Sequence, residues 1–309
     1  MGMETAASSI ITVVIPAYNR VGVVSRTLSC IEAQTTRRFS LILVDNNSTD
    51  ATMAVMQRWA DSHRDIPTRV LSEHRRGAAA ARNRGLAAVT TPWVMFFDSD
   101  DTMQPQHIQR VIDAIDSLGD DYDIMGWDLR YHYPGGTDRL YKFYTRDVQY
   151  NCLMHGSMSS QRYCARTELI RRVGCWAEEV GVWDDIELGA RLLQATSRIY
   201  KIKGTPTADV YVGADSLTIG ESPDNISRID DALVRMEQTL GADRAHWIQL
   251  KRMILAGVGA RKHSPAAYRL RDDVLRHTPR AYHRCLLRIA FRYTSCGGRG
   301  IARLLRPLM

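Results

Sequence analysis

The sequence predicts an α/β fold in which helices cover both faces of a parallel sheet, with a helical and basic C-terminal extension after it. Runs of apolar and β-branched residues alternate with helical patterns four times within residues 10–118, an order typical of βαβ units. Short polar clusters follow three of the four predicted strands. After residue 224 every segment has a helical pattern, which distinguishes the extension from the sheet region.

The first half of the chain supplies the predicted sheet. Residues 10–16 form a β-branched run that ends at a proline, and both this run and the apolar run 39–45 predict buried strands. Ser48 and Thr49 can cap the second helix, and Pro105 lies in the first turn of the fourth. The predicted strands are 10–16, 39–45, 68–71 and 93–98, and the predicted helices are 20–34, 48–62, 77–89 and 105–118.

The second half is mixed and then helical. Its predicted strands are 122–131, 162–165, 199–203 and 208–212, with a helix over 184–196 and a loop over 213–224. The predicted helices of the extension are 225–240, 245–262, 265–277 and 279–293, with a last basic segment at 301–308. We therefore expect a main domain over 1–220, with halves 10–118 and 119–220, and an extension over 221–309.

Charge is unevenly distributed along the chain. The 41 Lys and Arg residues against 34 Asp and Glu give +7, but residues 245–309 hold 14 basic and two acidic residues. That segment therefore carries +12, and the rest of the chain carries −5. A basic tail suits either nucleic acid or an anionic membrane surface, so charge leaves this partner open.

Composition excludes several classes of protein. With 45% hydrophobic and 24% charged residues, the chain is not expected to be disordered, collagen-like or a disulfide scaffold. The six cysteines lack zinc-site spacing, so reduced thiols in a cytosolic protein are expected. The apolar runs are far shorter than the roughly 20 residues of a membrane-spanning helix, and no signal peptide is expected.

Carboxylates cluster at the ends of predicted strands. Asp98, Asp100 and Asp101 follow an apolar strand, where a divalent cation such as Mg²⁺ or Mn²⁺ would relieve their repulsion. Asp45 ends the second strand and could accept hydrogen bonds from a base or a ribose. Helix capping explains the first cluster equally well, and a turn explains the polar residues after Asp45.

Two further motifs could bind anions or move protons. Gly77 opens an Ala-rich helix whose N-terminus favours anions, and Arg82 lies about one turn further along. Asp184 and Asp185 enter a helix, where one carboxylate could cap it while the other acts as a general base. A solvated Arg82 and two capping carboxylates are the alternatives.

Taken together and in order, these motifs resemble a family 2 inverting glycosyltransferase with the GT-A fold. The resemblance is close over 10–118, looser to about 212, and absent from the tail. It implies a Rossmann-like, nucleotide-diphospho-sugar transferase fold over the main domain, which would then be the catalytic domain. The segments that carry it are VVIPAYNR (13–20), LVDNNSTD (43–50), Gly77 with Arg82-Asn83 and Gly85, FFDSDD (96–101) and Asp184-Asp185-x-x-Leu188.

The resemblance implies a role for each matching residue. Asp45 would bind the base, commonly uracil, and Asp98 would hold the ribose. Asp100, with Asp98, would hold a Mn²⁺ or Mg²⁺ ion on the diphosphate. Asp101 could take the place of Asp100 as the direct metal ligand. The residues implied to border the nucleotide are Pro16, Tyr18, Arg20 and Arg82.

The implied catalytic pair is Asp184 and Asp185. Asp185 matches the second acid of the family's Glu-Asp motif, the general base, and Asp184 stands where Glu is commoner. Two departures are notable. Asn46 replaces an Asp that is often found there, and the Gln-x-x-Arg-Trp motif of processive members is absent, so a single transfer is expected.

The implied function is transfer of one sugar, from a UDP-sugar by preference, to a saccharide or lipid-linked acceptor in bacterial surface-polysaccharide or glycolipid synthesis. The alternatives are an inactive sugar-nucleotide-binding module and a nucleic-acid-binding protein that uses the tail. Residues 125–180 are expected to shape the acceptor site, where Trp127, Trp176 and Trp183 either stack on sugars or fill a core.

Arginines recur every four positions within 279–308, which predicts a basic amphipathic helix that lies on an anionic membrane surface. A solvated helix face and a helix that docks on a protein partner are the alternatives. We expect no nucleic-acid partner, because the body is acidic and no known binding motif is present. The expected location is the cytoplasm, at the inner face of the plasma membrane.

Overall fold

The structure, a computed structural model, describes residues 9–213, 223–241 and 244–309 of the chain. It divides into two compact units, each built from three stretches of chain. The first comprises Met1–Arg146, Ser157–Glu178 and Ala195–Gly213, and the second comprises Asp147–Gly156, Glu179–Gln194 and Ala214–Met309. The predicted domain boundary at 220 and most of the predicted loop 213–224 lie outside the described residues.

The helices and strands follow the order expected from the sequence, with four additional elements. The strands are β1 Ile11–Ala17, β2 Phe39–Asp45, β3 Thr68–Ser72, β4 Trp93–Phe96, β5 Thr102–Met103, β6 Ile124–Gly126, β7 Leu129–Tyr133, β8 Thr137–Tyr141, β9 Tyr163–Arg166, β10 Ile199–Lys201 and β11 Ala208–Tyr211. The helices are α1 Val24–Glu32, α2 Thr52–Ser62, α3 Ala78–Ala87, α4 His107–Leu118, α5 Val148–His155, α6 Thr167–Arg172, α7 Asp184–Ala195, α8 Pro223–Leu240, α9 Ala245–Ala260, α10 Pro265–His277, α11 Ala281–Ser295 and α12 Ile301–Leu305.

The main sheet of the first unit has the strand order β10-β6-β9-β4-β1-β2-β3. Strand β1 is parallel to β2 and β4, and β2 is parallel to β3, as predicted for the first four strands. Strand β9 runs antiparallel to both β4 and β6, so the whole sheet is mixed. Ala17 pairs with Asp45, and Asp45 pairs with Ser72, which aligns the carboxyl ends of three strands.

Helix α3 lies unusually close to the main sheet. A Cβ atom on Gly85 would come within 2.4 Å of Val14 Cγ1 and 3.3 Å of Val44 Cγ2. Only glycine therefore fits at this position without displacing β1. The close approach fixes the height of α3 above the strand ends, and α3 carries Arg82 and Asn83.

A second sheet of the first unit has the order β5-β11-β7-β8. The sequence predicted neither the short strand β5 nor the exposed, largely polar strand β8. It also predicted one strand over 122–131, where the structure forms β6 and β7 with Trp127 and Asp128 between them. Helices α5 and α6 are the other additional elements.

The second unit is helical. Its core includes Leu250, Met253, Leu286 and Leu287, which join α9 to α11. Gly257 on α9 permits this approach, because a Cβ there would lie 2.8 Å from the Phe291 carbonyl oxygen. None of the helices among the described residues is long and apolar enough to cross a lipid bilayer.

Candidate active site

Asp45 lies where β2 ends and is almost fully buried, with 6% of its surface exposed. Its Oδ2 accepts a hydrogen bond from the Ser48 backbone N–H at 3.1 Å. Its Oδ1 is buried and has no hydrogen-bond partner in the structure. A buried acceptor without a donor is costly, so Asp45 is suited to receive an N–H or O–H from a ligand.

Asn46 ties three segments together beside Asp45. Its Nδ2 donates to the carbonyls of Glu73 (3.2 Å) and Arg75 (2.6 Å), and its Oδ1 accepts from Gly77 N–H at 2.9 Å. Aspartate could not make the two donations. Asn46 is therefore a structural clamp that places Gly77 and the start of α3.

Ion pairs hold the segment after β3 in place. Arg75 forms ion pairs with Glu73 at 3.0 Å and with Glu178 at 2.6 Å. The Arg75 hydrogen bonds lower the pKa of the Glu73 carboxyl, so it stays ionised. This network fixes the peptide whose carbonyls Asn46 holds.

The loop after β1 connects the other two strand-end loops. Asn19 adopts the left-handed region, with φ of +50°, and its backbone N–H donates to Ser48 Oγ at 3.0 Å. Arg20 donates its backbone N–H to Thr52 and points its guanidinium at Asp100, 3.5 Å away. Tyr18 is 42% exposed in this loop. Within this loop, Arg20 is the residue predicted to border the nucleotide that directly contacts the acidic cluster, through Asp100.

Asp98 follows β4 and is held from two sides. Arg82 of α3 donates to its Oδ1 at 3.0 Å, and the Gln161 amide donates to its Oδ2. The Arg82 guanidinium is itself buried and lies over the ring of Trp176, 4.5 Å from the centroid. Arg82 is therefore not a solvated side chain, because it neutralises and orients Asp98.

Asp100 and Asp101 differ in what they can still bind. Asp101 is buried, and its oxygens accept from Gln161 at 2.7 Å and from the Tyr211 N–H at 2.9 Å. Asp100 is 37% exposed, and its ion pair with Arg20 is long. Burial and the neighbouring charge of Asp98 raise the pKa of Asp100, and the same causes raise that of Asp101 further.

This environment fits a divalent cation bound chiefly through Asp100. Hard carboxylate oxygens under mutual repulsion are the ligands that Mg²⁺ and Mn²⁺ prefer. Among the residues that the structure describes, no group of three or more His, Cys, Asp or Glu side chains forms a complete metal site.

Gln161 is the residue of this site that sequence reasoning missed. It lies just before β9, the strand that pairs with β4, and one amide group donates to both Asp98 and Asp101. Its own backbone carbonyl accepts from Trp127 Nε1 at 2.9 Å. Nothing in the local sequence marks this glutamine, because its partners are about 60 residues away.

Asp184 and Asp185 lie in the second unit, at the start of α7, and both are partly exposed. Asp185 Oδ1 accepts from the Ile186 N–H at 2.8 Å. The next acid, Glu187, is fully buried and paired with Arg191 at 2.6 Å and Arg235 at 3.2 Å. Glu187 is therefore structural, and it anchors the helix that presents the predicted catalytic pair.

Two of the three tryptophans fill the core of the first unit. Trp127 is buried and packs edge-on against His107, and Trp176 is buried against Phe96. Trp183, in the second unit, is partly exposed and has the Lys251 ammonium 4.9 Å from its ring centroid. Trp183 directly precedes the predicted catalytic pair in the sequence.

The mixed sheet, with acidic and basic side chains gathered at the carboxyl ends of β1, β2 and β4, is the GT-A fold of nucleotide-sugar-dependent transferases. The family model described as Glycosyl transferase family 2 matches residues 12–174, which is more than half of the chain. The chain belongs to glycosyltransferase family 2. This confirms the fold and the family predicted from the sequence.

Relatives with described roles match between a third and two fifths of the chain. The succinoglycan biosynthesis protein ExoO of Rhizobium meliloti is 30% identical over 125 residues, 39% of this chain and 35% of its own. The amylovoran biosynthesis glycosyltransferase AmsB of Erwinia amylovora is 34% identical over 108 residues, 35% of this chain and 36% of its own. The matched region thus spans about a third of each relative.

Solved structures match nearly the whole chain in fold. S. aureus TarS 1-349 in complex with UDP-GlcNAc has a TM-score of 0.67 and 18% identity, covering 96% of this chain and 91% of its own. The mannosyltransferase PcManGT of Pyrobaculum calidifontis, in complex with GDP-Man and Mn²⁺, has a TM-score of 0.58 and 18% identity, covering 96% and 81%.

Proposed function

We propose that this protein transfers a single sugar from a nucleotide-diphosphate donor, UDP-sugar by preference, to an acceptor hydroxyl with inversion. The observation that carries the proposal is the acidic cluster at the end of β4. Asp98 is oriented by Arg82 and Gln161, while Asp100 stays partly exposed beside Arg20. The complexes of TarS with UDP-GlcNAc and of PcManGT with GDP-Man and Mn²⁺ support a sugar nucleotide.

On the donor side, each residue has a chemical task. The unpartnered Oδ1 of Asp45 would accept the N3–H of uracil, which satisfies the buried oxygen. Asp98 would accept ribose hydroxyls, and Asp100 would hold a divalent cation. When bound, such a cation supplies Lewis-acid stabilisation of the leaving diphosphate. Arg20 would add a positive charge on the same side.

On the acceptor side, Asp185 would take the proton from the attacking hydroxyl. In inverting sugar transfer this base works on the face of the sugar ring opposite the leaving group. Asp184, beside it, would orient the acceptor or cap α7. We propose Asp185 as the base and a saccharide or lipid-linked saccharide as the acceptor. The names of ExoO and AmsB support a role in surface-polysaccharide synthesis.

Kinetics with a screened donor test this proposal. Thermal shift with UDP, GDP and their sugars, with and without Mn²⁺, identifies the donor, because binding stabilises the folded state. With that donor, Asp185→Asn should lower kcat by about 10²–10⁴-fold, the usual contribution of a general base, with donor KM unchanged.

The matched control is Asp231→Asn, which changes an exposed carboxylate on α8 of the same unit. It should leave both constants unchanged. Turnover of Asp185→Asn equal to that of the control would remove Asp185 from the role. Donor binding without transfer or hydrolysis by the unmodified protein would instead indicate an inactive binding module.

A further inference from the structure

The exposed face of α11 combines an apolar stripe with arginine. The exposed residues Tyr282, Cys285, Ile289, Tyr293 and Cys296 follow the spacing of one helix face. The opposite face packs Leu286, Leu287 and Ala290 into the core of the second unit. Tyr282 is 55% exposed and Ile289 is 48% exposed, so apolar groups are left in water.

A shallow groove lies at the C-terminal part of this stripe. It has a volume of about 520 Å³. Arginines 288 and 292 lie beside the stripe, on its exposed flank. In the segment that follows, Leu304 and Leu308 are also exposed, at 63% and 48%. The residues that line the groove are Ile289, Arg292, Tyr293, Cys296 and Gly298.

The charges along the C-terminal segment that carries the stripe have one sign. Residues 274–309 contain eight arginines and no acidic residue. Arg284 is partly buried and donates to the carbonyls of Thr278 and Pro279, so it does not continue the cationic stripe that the sequence periodicity predicted. Apart from Arg284 and from Arg306, which pairs with Asp147, the arginines of this segment form no ion pair with any described residue: Arg276, Arg280, Arg288, Arg292, Arg299 and Arg303.

We propose that this surface, α11 with the segment 297–308, binds the surface of an anionic lipid bilayer. An interfacial helix needs aromatic and aliphatic side chains that enter the headgroup region and arginines that meet lipid phosphates, and α11 presents both. Charge complementarity selects an anionic bilayer over a neutral one. The aliphatic Ile289 between the two exposed tyrosines favours a bilayer over nucleic acid, which would use the arginines alone or with stacked rings.

Vesicle cosedimentation of the full chain tests the proposal. Vesicles of phosphatidylcholine with phosphatidylglycerol are compared with vesicles of phosphatidylcholine alone. Point variants are used because removing α11 would also remove Leu286 and Leu287 from the core. Arg288→Gln with Arg292→Gln should weaken binding to anionic vesicles by ~5-fold for each arginine. Ile289→Asp should weaken it by about tenfold, because a carboxylate replaces apolar surface that enters the bilayer.

Matched controls lie in the first unit. Leu140→Asp changes a side chain on β8 that is 53% exposed, and Arg58→Gln with Arg172→Gln removes two exposed arginines. Both should bind anionic vesicles like the unmodified protein. Equal binding by the α11 variants and these controls would reject α11 as the membrane-binding surface. Equal binding to neutral and anionic vesicles would reject recognition of anionic lipid.

RNA and a second copy of the chain, the two alternative partners, would give different results in these experiments. If the surface binds RNA, the arginine variant loses binding to an oligonucleotide, Ile289→Asp keeps it, and vesicles are not bound. If it binds a second copy of the chain, light scattering shows a dimer that Ile289→Asp dissociates. Either result would overturn the proposal, whereas loss of vesicle binding in both α11 variants and neither control supports it.

Discussion

Replacing Asn46 with aspartate should destabilise the first unit, although aspartate is common at this position in the family. The new carboxylate can still accept from Gly77, but its other oxygen would face the carbonyls of Glu73 and Arg75, to which Asn46 now donates over 3.2 and 2.6 Å. It would also add a negative charge next to the buried Asp45.

The cost can be worked from these contacts. Two lost hydrogen bonds are worth about 1 kcal/mol each, and leaving buried acceptors without donors costs about 1–3 kcal/mol more. Asn46→Asp should therefore lower stability by about 4 kcal/mol, and the midpoint of thermal unfolding by roughly 10 °C. Asn47→Asp is the matched control, because Asn47 is exposed and its φ of +61° suits aspartate as well.

Thermal unfolding of the two variants between pH 5 and pH 8 is the assay. Burial raises the pKa of a carboxyl group above its value in the unfolded chain. The free energy of unfolding of Asn46→Asp should therefore fall as pH rises through the folded pKa of the new aspartate. At low pH the protonated carboxyl can donate to one carbonyl, and the difference between the variants should shrink. If Asn46→Asp unfolds at the same temperature as Asn47→Asp at pH 8, the clamp does not hold this region together.

Three further variants test other parts of the first unit. Gln161→Leu removes the donor shared by two carboxylates, and it should weaken binding of donor and Mn²⁺ by about tenfold in calorimetry. Asp45→Asn should weaken UDP binding by roughly 10–100-fold while leaving thermal stability unchanged or higher, since a buried charge is removed. Burial lowers the pKa of His132, but hydrogen bonds to Asp209 and Asp138 outweigh it and raise the pKa overall. The stability that His132 contributes is therefore complete below pH ~6.5 and is lost as pH rises through the folded pKa, so His132→Gln should lower the unfolding midpoint more at pH 5.5 than at pH 8.5.

Much of the fold was predictable because its elements have strong local patterns. The strands β1, β2 and β4 are continuous apolar runs, and their burial on both faces of a sheet requires this. The strand β8 was missed because its residues are mostly exposed and polar, so no apolar period marks it. The antiparallel strand β9 was placed correctly, but its direction depends on partners distant in sequence.

The candidate site was predictable where a residue lies at the end of a strand. Asp45 and Asp98 follow apolar runs, and parallel strands bring such ends together. Gln161 and Asn46 could not be assigned, because their roles consist of contacts across the sheet. The predicted cationic stripe was too long. Each step of four residues rotates the side chain by about 40° around the helix, and this rotation carries Arg284 away from the exposed face.

The chain passes between the two units five times, and this affects how the protein can be made. Segments 147–156 and 179–194 leave the ribosome before the helices on which they pack. Lys251 of α9 bonds to Met154, and Arg235 of α8 pairs with Glu187. A chain stopped at residue 220 would leave α5 without Lys251, and α7, with Asp184 and Asp185, without Arg235. The position of Asp185, the predicted base, therefore depends on helices that belong to the same C-terminal part of the chain as the basic tail.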